Sequence, residues 1–261
     1  MADIHPTAIV DDSVELADDV YIGPGCVLRD TISIGSGTIL HGNVYLQGPL
    51  TIGSNNVIYP FSCIGFAPQH AAVDAATRGA GTVIGDGNKI RESVTIHRAM
   101  NDQPTLVGDR NFLMGQCHIG HDAVVGNDCT LVQSSVLGGH VTFGDSSIIG
   151  GLAGMHQFCA VGRFAMISGG TGLTQDIPPF CTAYPNGVIG SLNLVGLRRA
   201  GFRKHIAALQ KAFDIFFKGR QSNKSALDAI EETLGDDPFC MEFVEFVRAS
   251  KRGIVSYKRD S

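Results

Sequence analysis

Hydrophobic positions recur every six residues along the first two thirds of the chain. Counting from Ile4, an apolar side chain fills every sixth position up to Ile64, and the count resumes at Ile84 and again at Val107. A glycine often follows the apolar residue, and the side chain two positions before it is often small or β-branched. Self-similarity at a fixed period is typical of repeat architectures, so the pattern predicts one stacked structural unit across residues 4–177.

Six residues are too few to bury a core alone, which limits how the units can combine. Three units make a triangular coil of 18 residues, and successive coils stack about 4.8 Å apart as parallel strands. We therefore predict a parallel β-helix in which residues separated by 18 positions become neighbours. The cysteines that occupy the slot for small side chains, and are predicted to act as interior hydrophobes, are Cys26, Cys117, Cys129 and Cys159.

Two segments interrupt the six-residue period. Residues 66–82 and 98–105 are polar or rich in glycine, alanine and proline, so they are predicted to loop out of the coils. Loops that leave a rigid scaffold frequently carry binding and catalytic groups. After the stretch QDIPPF, Gln175–Phe180, the period stops and helical spacing begins.

The C-terminal part of the chain is predicted to be helical. The predicted helices are Leu192–Ala200, Arg203–Phe217, Ser225–Leu234 with Ser225 as a possible N-cap, and Pro238–Ala249. The domain organisation that follows is an all-β parallel β-helix over residues 1–180 and a small α-helical domain over residues 181–261.

Composition narrows the classes of function. The chain of 261 residues is 44% hydrophobic and 17% charged, and its formal net charge of −5 offers no basic stripe for a nucleic acid. Seven cysteines without a CxxC pair predict neither a disulfide framework nor a four-thiolate zinc site. The N-terminal segment lacks the basic and apolar regions of a signal peptide, and no apolar run approaches the ~18 residues of a membrane span. We expect a cytoplasmic protein without an integral membrane segment.

Because residues 18 positions apart are predicted to be neighbours, several histidines are predicted to lie on one face of the β-helix. Units that begin at Ile119, Leu137 and Met155 lie 18 residues apart and therefore on three successive coils. Their polar residues are His121 with Asp122, then His140, then His156 with Gln157, and His118 lies near the adjoining corner. Imidazole titrates near neutral pH and suits general-base work, while a carboxylate on its far nitrogen fixes the tautomer. The predicted assignment is His121 as base and Asp122 as its orienting partner.

Two other interpretations stay open from the residues alone. Histidines on stacked coils, shared between subunits, could bind zinc. A polar ladder outside a β-helix could also belong to a non-catalytic scaffold that binds a partner through its flat faces. His97 joins the cluster only if the loop that follows it replaces part of a coil. Several histidines converging next to a carboxylate favour catalysis over both alternatives.

Six motifs carry a resemblance to a known family. They are IRESVTIHR (Ile90–Arg98), HIGHDAVVGN (His118–Asn127), GGHV (Gly138–Val141), GMHQFC (Gly154–Cys159), QDIPP (Gln175–Pro179) and NLVGLRRAGF (Asn193–Phe202). The chain resembles the hexapeptide-repeat acyltransferases and, among them, the acyl-carrier-protein:UDP-N-acetylglucosamine O-acyltransferases that begin lipid A synthesis. The resemblance covers nearly the whole chain. It implies a left-handed coil, although crossovers between parallel strands are usually right-handed.

The resemblance also implies a reaction and the residues that perform it. The family transfers a 3-hydroxyacyl chain from the phosphopantetheine thioester of acyl carrier protein to the 3-hydroxyl of UDP-N-acetylglucosamine, with no cofactor or metal. His121 would then remove the hydroxyl proton, Asp122 would orient His121, and the backbone N–H of Gly139 would stabilise the oxyanion. The positions implied for substrate binding are Gln69, His118, His140, His156, Gln157, Gly169, Asn193 and Arg199.

The family is a homotrimer with its active sites in the clefts between chains, so two chains are implied for each site. Asn193 and Arg199 would hold the uridine and diphosphate, for which arginine is the expected residue type. Gly169 matches the position that limits acyl length, and a glycine there implies a long chain of about the hydroxymyristoyl class. The basic cluster that would dock the acidic carrier protein comprises Arg198, Arg199, Arg203 and Lys204.

The chain departs from the family at positions expected to contact the acceptor. Gln69 is followed by His70, Ala71 and Ala72, where the family pattern resembles QDLK and so has an aspartate and a lysine. Val195 replaces the acidic residue of the family pattern NIEGL. Some relatives acylate a 3-amino sugar and form an amide, and a changed acceptor loop is where such a switch would show. A paralogue that acylates a 3-amino or another UDP-sugar therefore stays an alternative.

Overall fold

Short strands wind into the triangular prism that the six-residue period predicts. The computed structural model describes residues 1–71, 73–74 and 76–257. The coils form a left-handed parallel β-helix of about 10 turns, followed by helices, which confirms the predicted fold class. Each strand pairs in parallel with the equivalent strand of the next coil, as Thr130 does with Ile148.

The prism has three faces, called A, B and C in the order in which the chain passes through them. Face A comprises Asp3–Ile4, Tyr21–Ile22, Ile39–Leu40, Val57–Ile58, Lys89–Ile90, Phe112–Leu113, Thr130–Leu131, Ile148–Ile149, Met166–Ile167, Cys181–Tyr184 and Val188–Leu192. Face B comprises Ile9–Val10, Val27–Arg29, Tyr45–Gln47, Cys63–Phe66, Thr95–His97, His118–Ile119, Val136–Leu137, Gly154–Met155 and Gly172–Leu173. Face C comprises Val14–Leu16, Ile32–Ile34, Leu50–Ile52, Thr82–Ile84, Thr105–Val107, Val124–Val125, Thr142–Phe143 and Ala160–Val161.

Inward-pointing aliphatic side chains stack from coil to coil and fill the prism. On face A, Leu113 pairs in register with Leu131, and Leu131 pairs with Ile149. All three side chains are fully buried. Burial of apolar surface contributes roughly 25 cal/mol per Å², so each coil is stabilised mainly by the coils on either side of it. Ile4 lies in the first coil, which has a neighbour on one side only, and it remains 42% exposed.

The four cysteines predicted as interior hydrophobes are buried, which confirms that interpretation. Burial raises the pKa of each of these thiols, and it raises the pKa of Cys129 to about 12. A thiol with a raised pKa carries very little thiolate at neutral pH and is a poor nucleophile.

Left-handed backbone conformations let the chain turn sharply between faces. At the corner between faces B and C, Asp122, His140 and Phe158 have φ angles of +59°, +60° and +66°. The same bend therefore repeats on three successive coils. Gly120 precedes the first of these bends, and a Cβ there would lie 2.6 Å from the amide nitrogen of Gly139. Only glycine allows two coils to approach so closely at this point.

Two excursions leave the coils and return to the next face. The first, called the first loop, connects Cys63–Phe66 with Thr82–Ile84, and the second loop connects Thr95–His97 with Thr105–Val107. The flanking strands keep their parallel pairing, so the excursions do not interrupt the stacking. Ala72 and Ala75 of the first loop lie outside the described residues.

Face A continues past residue 180 into an antiparallel hairpin. Cys181–Tyr184 pairs in parallel with Met166–Ile167, and Val188–Leu192 then pairs with Cys181–Tyr184 in the opposite direction. The helix predicted to begin at Leu192 starts later, because Leu192 ends the second strand of the hairpin. The division of the chain into domains at residues 180 and 181 stays a prediction.

The C-terminal helices follow the predicted spans with two further differences. They comprise Leu194–Arg199 (α1), a 3₁₀ turn at Arg203–His205, Ile206–Phe213 (α2), a π turn at Asp214–Lys218, Asn223–Leu234 (α3) and Pro238–Ala249 (α4). The helix predicted from Arg203 is thus α-helical only in its middle, with a tighter and a wider turn at its ends. Ser222, and not Ser225, is the N-cap of α3, because its hydroxyl accepts the N–H of Ser225. Within the described residues, no helix is long and apolar enough to span a bilayer.

Arg163 joins the last coils to the helices. Its guanidinium lies 4.8 Å from the ring centroid of Phe180 and 4.4 Å from that of Phe239. Its Nε also donates to the Glu242 carboxylate at 2.7 Å. Burial holds the pKa of Glu242 above its usual value, although the arginine opposes that shift. The helices are thereby fixed to the corner between faces C and A.

Ile149 and Ile148 form a matched pair for testing the stacking. They are neighbours in one strand, with Ile149 fully buried and Ile148 partly exposed. Ile149→Ala is expected to lower the free energy of unfolding by about 2–5 kcal/mol, because it leaves a cavity between coils. Ile148→Ala should cost much less, as measured by denaturant unfolding at a fixed protein concentration. Equal losses in the two variants would contradict an inward-facing stack.

Candidate active site

One corner of the prism, between faces B and C, brings the main candidate residues together. This histidine corner comprises, on three successive coils, His121 and Asp122, then Gly139 and His140, then Gln157 and Phe158. Backbone hydrogen bonds tie these coils, since the N–H of His140 donates to the carbonyl of His121 at 3.0 Å and the N–H of Phe158 donates to that of Gly139 at 3.0 Å. The side chains therefore project from a rigid wall.

His121 and Asp122 form a hydrogen-bonded pair. Nδ1 of His121 and Oδ2 of Asp122 are 2.6 Å apart, and both side chains are largely buried. The carboxylate also accepts the amide N–H groups of Met100 at 3.2 Å and Asn101 at 3.0 Å. Burial alone would raise the pKa of Asp122, but the hydrogen bonds together hold it below its usual value. Asp122 is therefore an anion that engages Nδ1 of His121 and leaves Nε2 for a reactant.

Gly139 lies against the reactive side of the His121 ring. A Cβ at this position would be 2.8 Å from both Cε1 and Nε2 of the imidazole, so a larger residue would displace the ring. Within the described residues, the N–H of Gly139 has no hydrogen-bond acceptor. An amide that is unpaired beside a base can donate to an oxygen bound there, which is what an oxyanion site requires.

His97 and His118 extend the cluster onto face B. Their ring centroids are 5.0 Å apart, and Nδ1 of His118 shares a hydrogen bond of 2.8 Å with the hydroxyl of Thr95. Burial, followed by the neighbouring histidines, lowers the pKa of His97 to about 4. Burial and then His121 also lower the pKa of His118. Both rings are therefore neutral at neutral pH.

His140 lies on the other side of the Asp122 carboxylate. Its Nε2 is 3.8 Å from Oδ2 of Asp122, and its ring centroid is 5.2 Å from that of His121. The ring stacks on Phe158 at 4.5 Å, which fixes its orientation. Burial lowers the pKa of His140, and His121 adds to that effect, while Asp122 opposes it. His140 thus forms a mostly neutral wall of the cleft beside the His121–Asp122 pair.

His156 and Gln157 lie one coil beyond His140, and both are exposed. Nδ1 of His156 is 3.1 Å from the carbonyl oxygen of Gln157 and 3.4 Å from Nη2 of Arg252. The structure therefore places these two residues at the outer end of the histidine corner.

The first loop folds back towards the histidine corner. Its residues Gln69 and His70 are exposed, and the ring centroid of His70 is 6.3 Å from that of His121. The carboxylate that the family pattern expects next to Gln69 is thus replaced by a second imidazole close to the base. Ala72, where the family pattern has a lysine, lies outside the described residues.

Gly169 lies on the corner between faces A and B, across face B from the histidine corner. The outward positions of face B between the two corners include Val136, Gly154 and Gly172. A Cβ at Gly172 would meet nothing within 4 Å. Gly154 and Gly172 therefore form a strip of face B without side chains, called the open strip, between the histidine corner and the corner of Gly169.

Asn193 and Arg199 lie at a different corner of their own chain. The Asn193 side chain donates to the carbonyl of Phe164 at 2.9 Å and accepts the N–H of Gly196 at 3.0 Å, as the N-cap of α1. Arg199 is exposed in the last turn of that helix. Since Phe164 belongs to the corner between faces C and A, the structure does not bring these two residues to the histidine corner of the same chain.

The basic cluster at the start of the helices is exposed to solvent. Its members are Arg198, Arg199, Arg203 and Lys204. Arg198 and Arg203 line an open cavity of about 590 Å³ together with Ile206, Ala207 and Gln210. The cluster thus presents positive charge around a partly apolar floor.

The histidine corner also has a donor set for a cation. One ligand atom from each of His121, Asp122 and His140 lies within 4.8 Å of the others. Asp122 already accepts hydrogen bonds from two amides and from His121, so a cation would have to displace part of this network. The geometry therefore favours a hydrogen-bonded base over a metal centre.

Part of the site could not be located from the sequence. The hydroxyl of Thr105 accepts the backbone N–H of Asp122 at 2.8 Å, and the amides of Met100 and Asn101 donate to the Asp122 carboxylate. Met100 and Asn101 belong to the second loop and Thr105 begins the strand after it, and the six-residue period does not specify the path of this loop. His97, which the sequence placed in the cluster only on the condition that the following loop replaces part of a coil, does lie beside His118, because the two strands pair in register.

Proteins of similar sequence share the whole length of this chain. Residues 176–255 match the profile of the family described as Udp N-acetylglucosamine O-acyltransferase, Domain 2. The chain is 42% identical over 260 residues to the acyl-(acyl-carrier-protein)–UDP-N-acetylglucosamine O-acyltransferase of Thermodesulfovibrio yellowstonii, which covers 97% of this chain and 99% of that protein. It is 40% identical over 261 residues to the protein of the same name from Saccharophagus degradans, with coverage of 98% and 100%.

Solved structures agree with the sequence comparison. The UDP-N-acetylglucosamine O-acyltransferase of Moraxella catarrhalis superposes with a TM-score of 0.91 at 35% identity, covering 97% of this chain and 99% of that one. The UDP-N-acetylglucosamine acyltransferase of Francisella novicida gives a TM-score of 0.92 at 32% identity, covering 97% and 94%. With these relatives matching nearly end to end, the chain belongs to the family of acyl-(acyl-carrier-protein)–UDP-N-acetylglucosamine O-acyltransferases.

Proposed function

We propose that this protein transfers a 3-hydroxyacyl chain from acyl carrier protein to the 3-hydroxyl of UDP-N-acetylglucosamine, the first step of lipid A biosynthesis. The observation that carries the proposal is the histidine corner, where Asp122 orients His121 beside the N–H of Gly139, which has no acceptor among the described residues. The names of the relatives give the same kind of donor and acceptor.

General-base catalysis is the mechanism that this arrangement supports. Nε2 of His121 takes the proton of the sugar hydroxyl as the oxygen attacks the thioester carbon. The N–H of Gly139 donates to the oxyanion that forms, and Asp122 stabilises the imidazolium. When the intermediate collapses, the carbon–sulfur bond breaks and the imidazolium returns its proton to the leaving thiolate. The phosphopantetheine thioester of acyl carrier protein enters as a substrate, and no step needs a further cofactor.

Neighbouring rings in the cluster favour this assignment of the base. His97, His118 and His140 all have lowered pKa values, chiefly because they are buried, so they offer neutral polar walls. Among the described histidines of the cluster, only His121 lies within hydrogen-bond distance of the carboxylate, which orients that ring. We assign His118, His140, His156 and Gln157 to lining the sugar and acyl channel.

Face B offers a path for the acyl chain. The open strip over Gly154 and Gly172 leads from His121 to Gly169, and a chain can lie flat there because no side chain projects from the two strip glycines. The glycine at Gly169 leaves the end of the strip open. We therefore propose a long acyl donor of about the hydroxymyristoyl class.

We further propose a homotrimer in the cytoplasm, with each site shared by two chains. Asn193 and Arg199 lie at a corner away from their own histidine corner, so a second protomer would have to present them to the nucleotide. Arginine at such a position suits a diphosphate. The exposed cluster of Arg198, Arg203 and Lys204 would dock the acidic carrier protein.

His121→Ala is expected to lower kcat by roughly 10²–10⁴-fold, because general-base assistance is lost. Acyl transfer is measured with purified protein, and light scattering and metal analysis are recorded for both proteins. His5→Ala, a change at a histidine remote from the cluster, is the control. Full activity in His121→Ala would contradict the assignment of His121 as the base, and absence of transfer by the unchanged protein would support the scaffold interpretation. Stoichiometric zinc that disappears with His121 would support the metal interpretation.

Acid should destabilise the protein through His97. Its pKa is about 4 in the folded chain against an ordinary value of 6.5, so between these values the unfolded chain binds more protons. The stability due to the neutral ring is present above pH 6.5 and is lost as the pH falls towards 4, by about 3 kcal/mol for this residue. His97→Gln should flatten the pH dependence of the unfolding free energy, whereas His5→Gln should leave it steep.

The nature of the acceptor is tested by product mass. Purified protein is offered 3-hydroxyacyl carrier proteins of several lengths, with UDP-N-acetylglucosamine and its 3-amino analogue in competition, followed by mild base. We expect a base-labile ester on the ordinary sugar with a long chain. A base-stable amide would instead support the 3-amino alternative, for which His70 beside His121 is the observation in favour. Absence of any product would refute both.

A further inference from the structure

Arg98 is a buried charge at the base of the first loop, and only 3% of it is exposed. Its Nη1 donates to the carbonyl of Gly65 at 3.0 Å, just before the loop begins. Its Nε and Nη2 donate to the carbonyl of Thr77 at 2.9 and 2.7 Å, near the end of the loop. A single guanidinium therefore bridges the two ends of the first loop.

Backbone contacts reinforce this bridge. The N–H of Arg98 donates to the carbonyl of Phe66 at 3.0 Å, and the N–H of Ala99 donates to that of Gly81 at 3.0 Å. The next two residues of the same segment donate their N–H groups to the catalytic carboxylate, Asp122. Residues 98–101 thus contact the first loop on one side and the His121–Asp122 pair on the other.

The bridge matters for the loop residues next to the histidine corner. The ring centroid of His70 is 6.3 Å from that of His121, and Gln69 precedes His70. A flexible loop would place these groups over the histidine corner only part of the time. Displacement of a positioning group by about 1 Å can reduce a rate by about 10²-fold, so anchoring the ends of the loop bears directly on how the acceptor is held.

We propose that Arg98 is a positioning residue, which fixes the first loop over the histidine corner in the geometry that receives the acceptor sugar. The inference rests on the proposed function for its kinetic part only. Arginine suits the task because its planar fork reaches two carbonyl groups at once, whereas lysine presents a single nitrogen. Burial of the charge is tolerated because these carbonyl oxygens replace its water.

Arg98→Met and Arg98→Lys test the inference, with Arg78→Met as the matched control. Arg78 lies on the same loop but forms an exposed ion pair with Asp30. In Arg98→Met we expect kcat/KM for the UDP-sugar to fall by about 10²-fold, while KM for the acyl donor stays near the wild-type value. Arg98→Lys should restore little of this, and Arg78→Met should behave like wild type.

Hydrogen–deuterium exchange gives a readout that does not depend on activity. Amides of residues 67–80 should exchange faster in Arg98→Met than in Arg78→Met, while the strands that carry His118 and His140 stay protected. This result would hold even if the acceptor were misassigned. Unchanged loop exchange together with unchanged acceptor kinetics would overturn the inference, and so would full rescue by lysine.

Gly79→Ala provides a second variant that leaves Arg98 in place. Gly79 has a φ of +53°, and a Cβ there would clash with the carbonyl oxygen of Ala99. The substitution should therefore push the end of the loop away from residues 98–101 and give the same selective loss of acceptor kinetics. A uniform loss of donor and acceptor kinetics, with a lower melting temperature, would instead indicate a general folding defect and contradict the inference.

Discussion

Stacking of each coil on the next is the constraint on which the rest of the structure depends. A coil has no interior of its own, so its inward aliphatic residues are buried only by the coils above and below. The backbone ladder then allows one register, in which equivalent residues superpose, as Leu113, Leu131 and Ile149 do. Any polar group at a corner is consequently aligned with its equivalents on neighbouring coils. The alignment of residues at the histidine corner therefore follows from the packing of the core.

At the histidine corner, several imidazole rings lie close to one carboxylate, that of Asp122. Burial disfavours protonation of an imidazole ring, and a positive charge on one ring would raise the free energy needed to protonate its neighbour. Asp122 is kept ionised by hydrogen bonds from His121 and from two amides, so it can stabilise positive charge on His121 specifically. The second loop supplies those amides. The cluster therefore combines neutral polar rings with one histidine that is oriented by a carboxylate.

The residues proposed for chemistry and those proposed for acceptor recognition belong to different parts of the molecule. The histidine corner belongs to the coils and cannot shift without disturbing the core, whereas His70 and Gln69 belong to a loop anchored at its ends by Arg98. Substitutions in this loop leave the register of the coils unchanged. This separation explains physically how the chain can keep the proposed catalytic residues while it departs from the family pattern at His70 and Ala72.

The sequence by itself determined the prism, the stacking of His121, Gly139 and Gln157 and the buried cysteines, because all of these follow from one local period. Tertiary structure alone decided the hairpin at Cys181–Leu192, the cap at Ser222 and the path of both loops. None of these features follows the six-residue period: the hairpin and the cap depend on local hydrogen bonds, and the paths of the loops depend on contacts between residues far apart in the chain. The partners of Asp122 illustrate this difference. The carboxylate could be predicted from its position next to His121, but the two amides that donate to it belong to the second loop, whose path only the folded chain specifies.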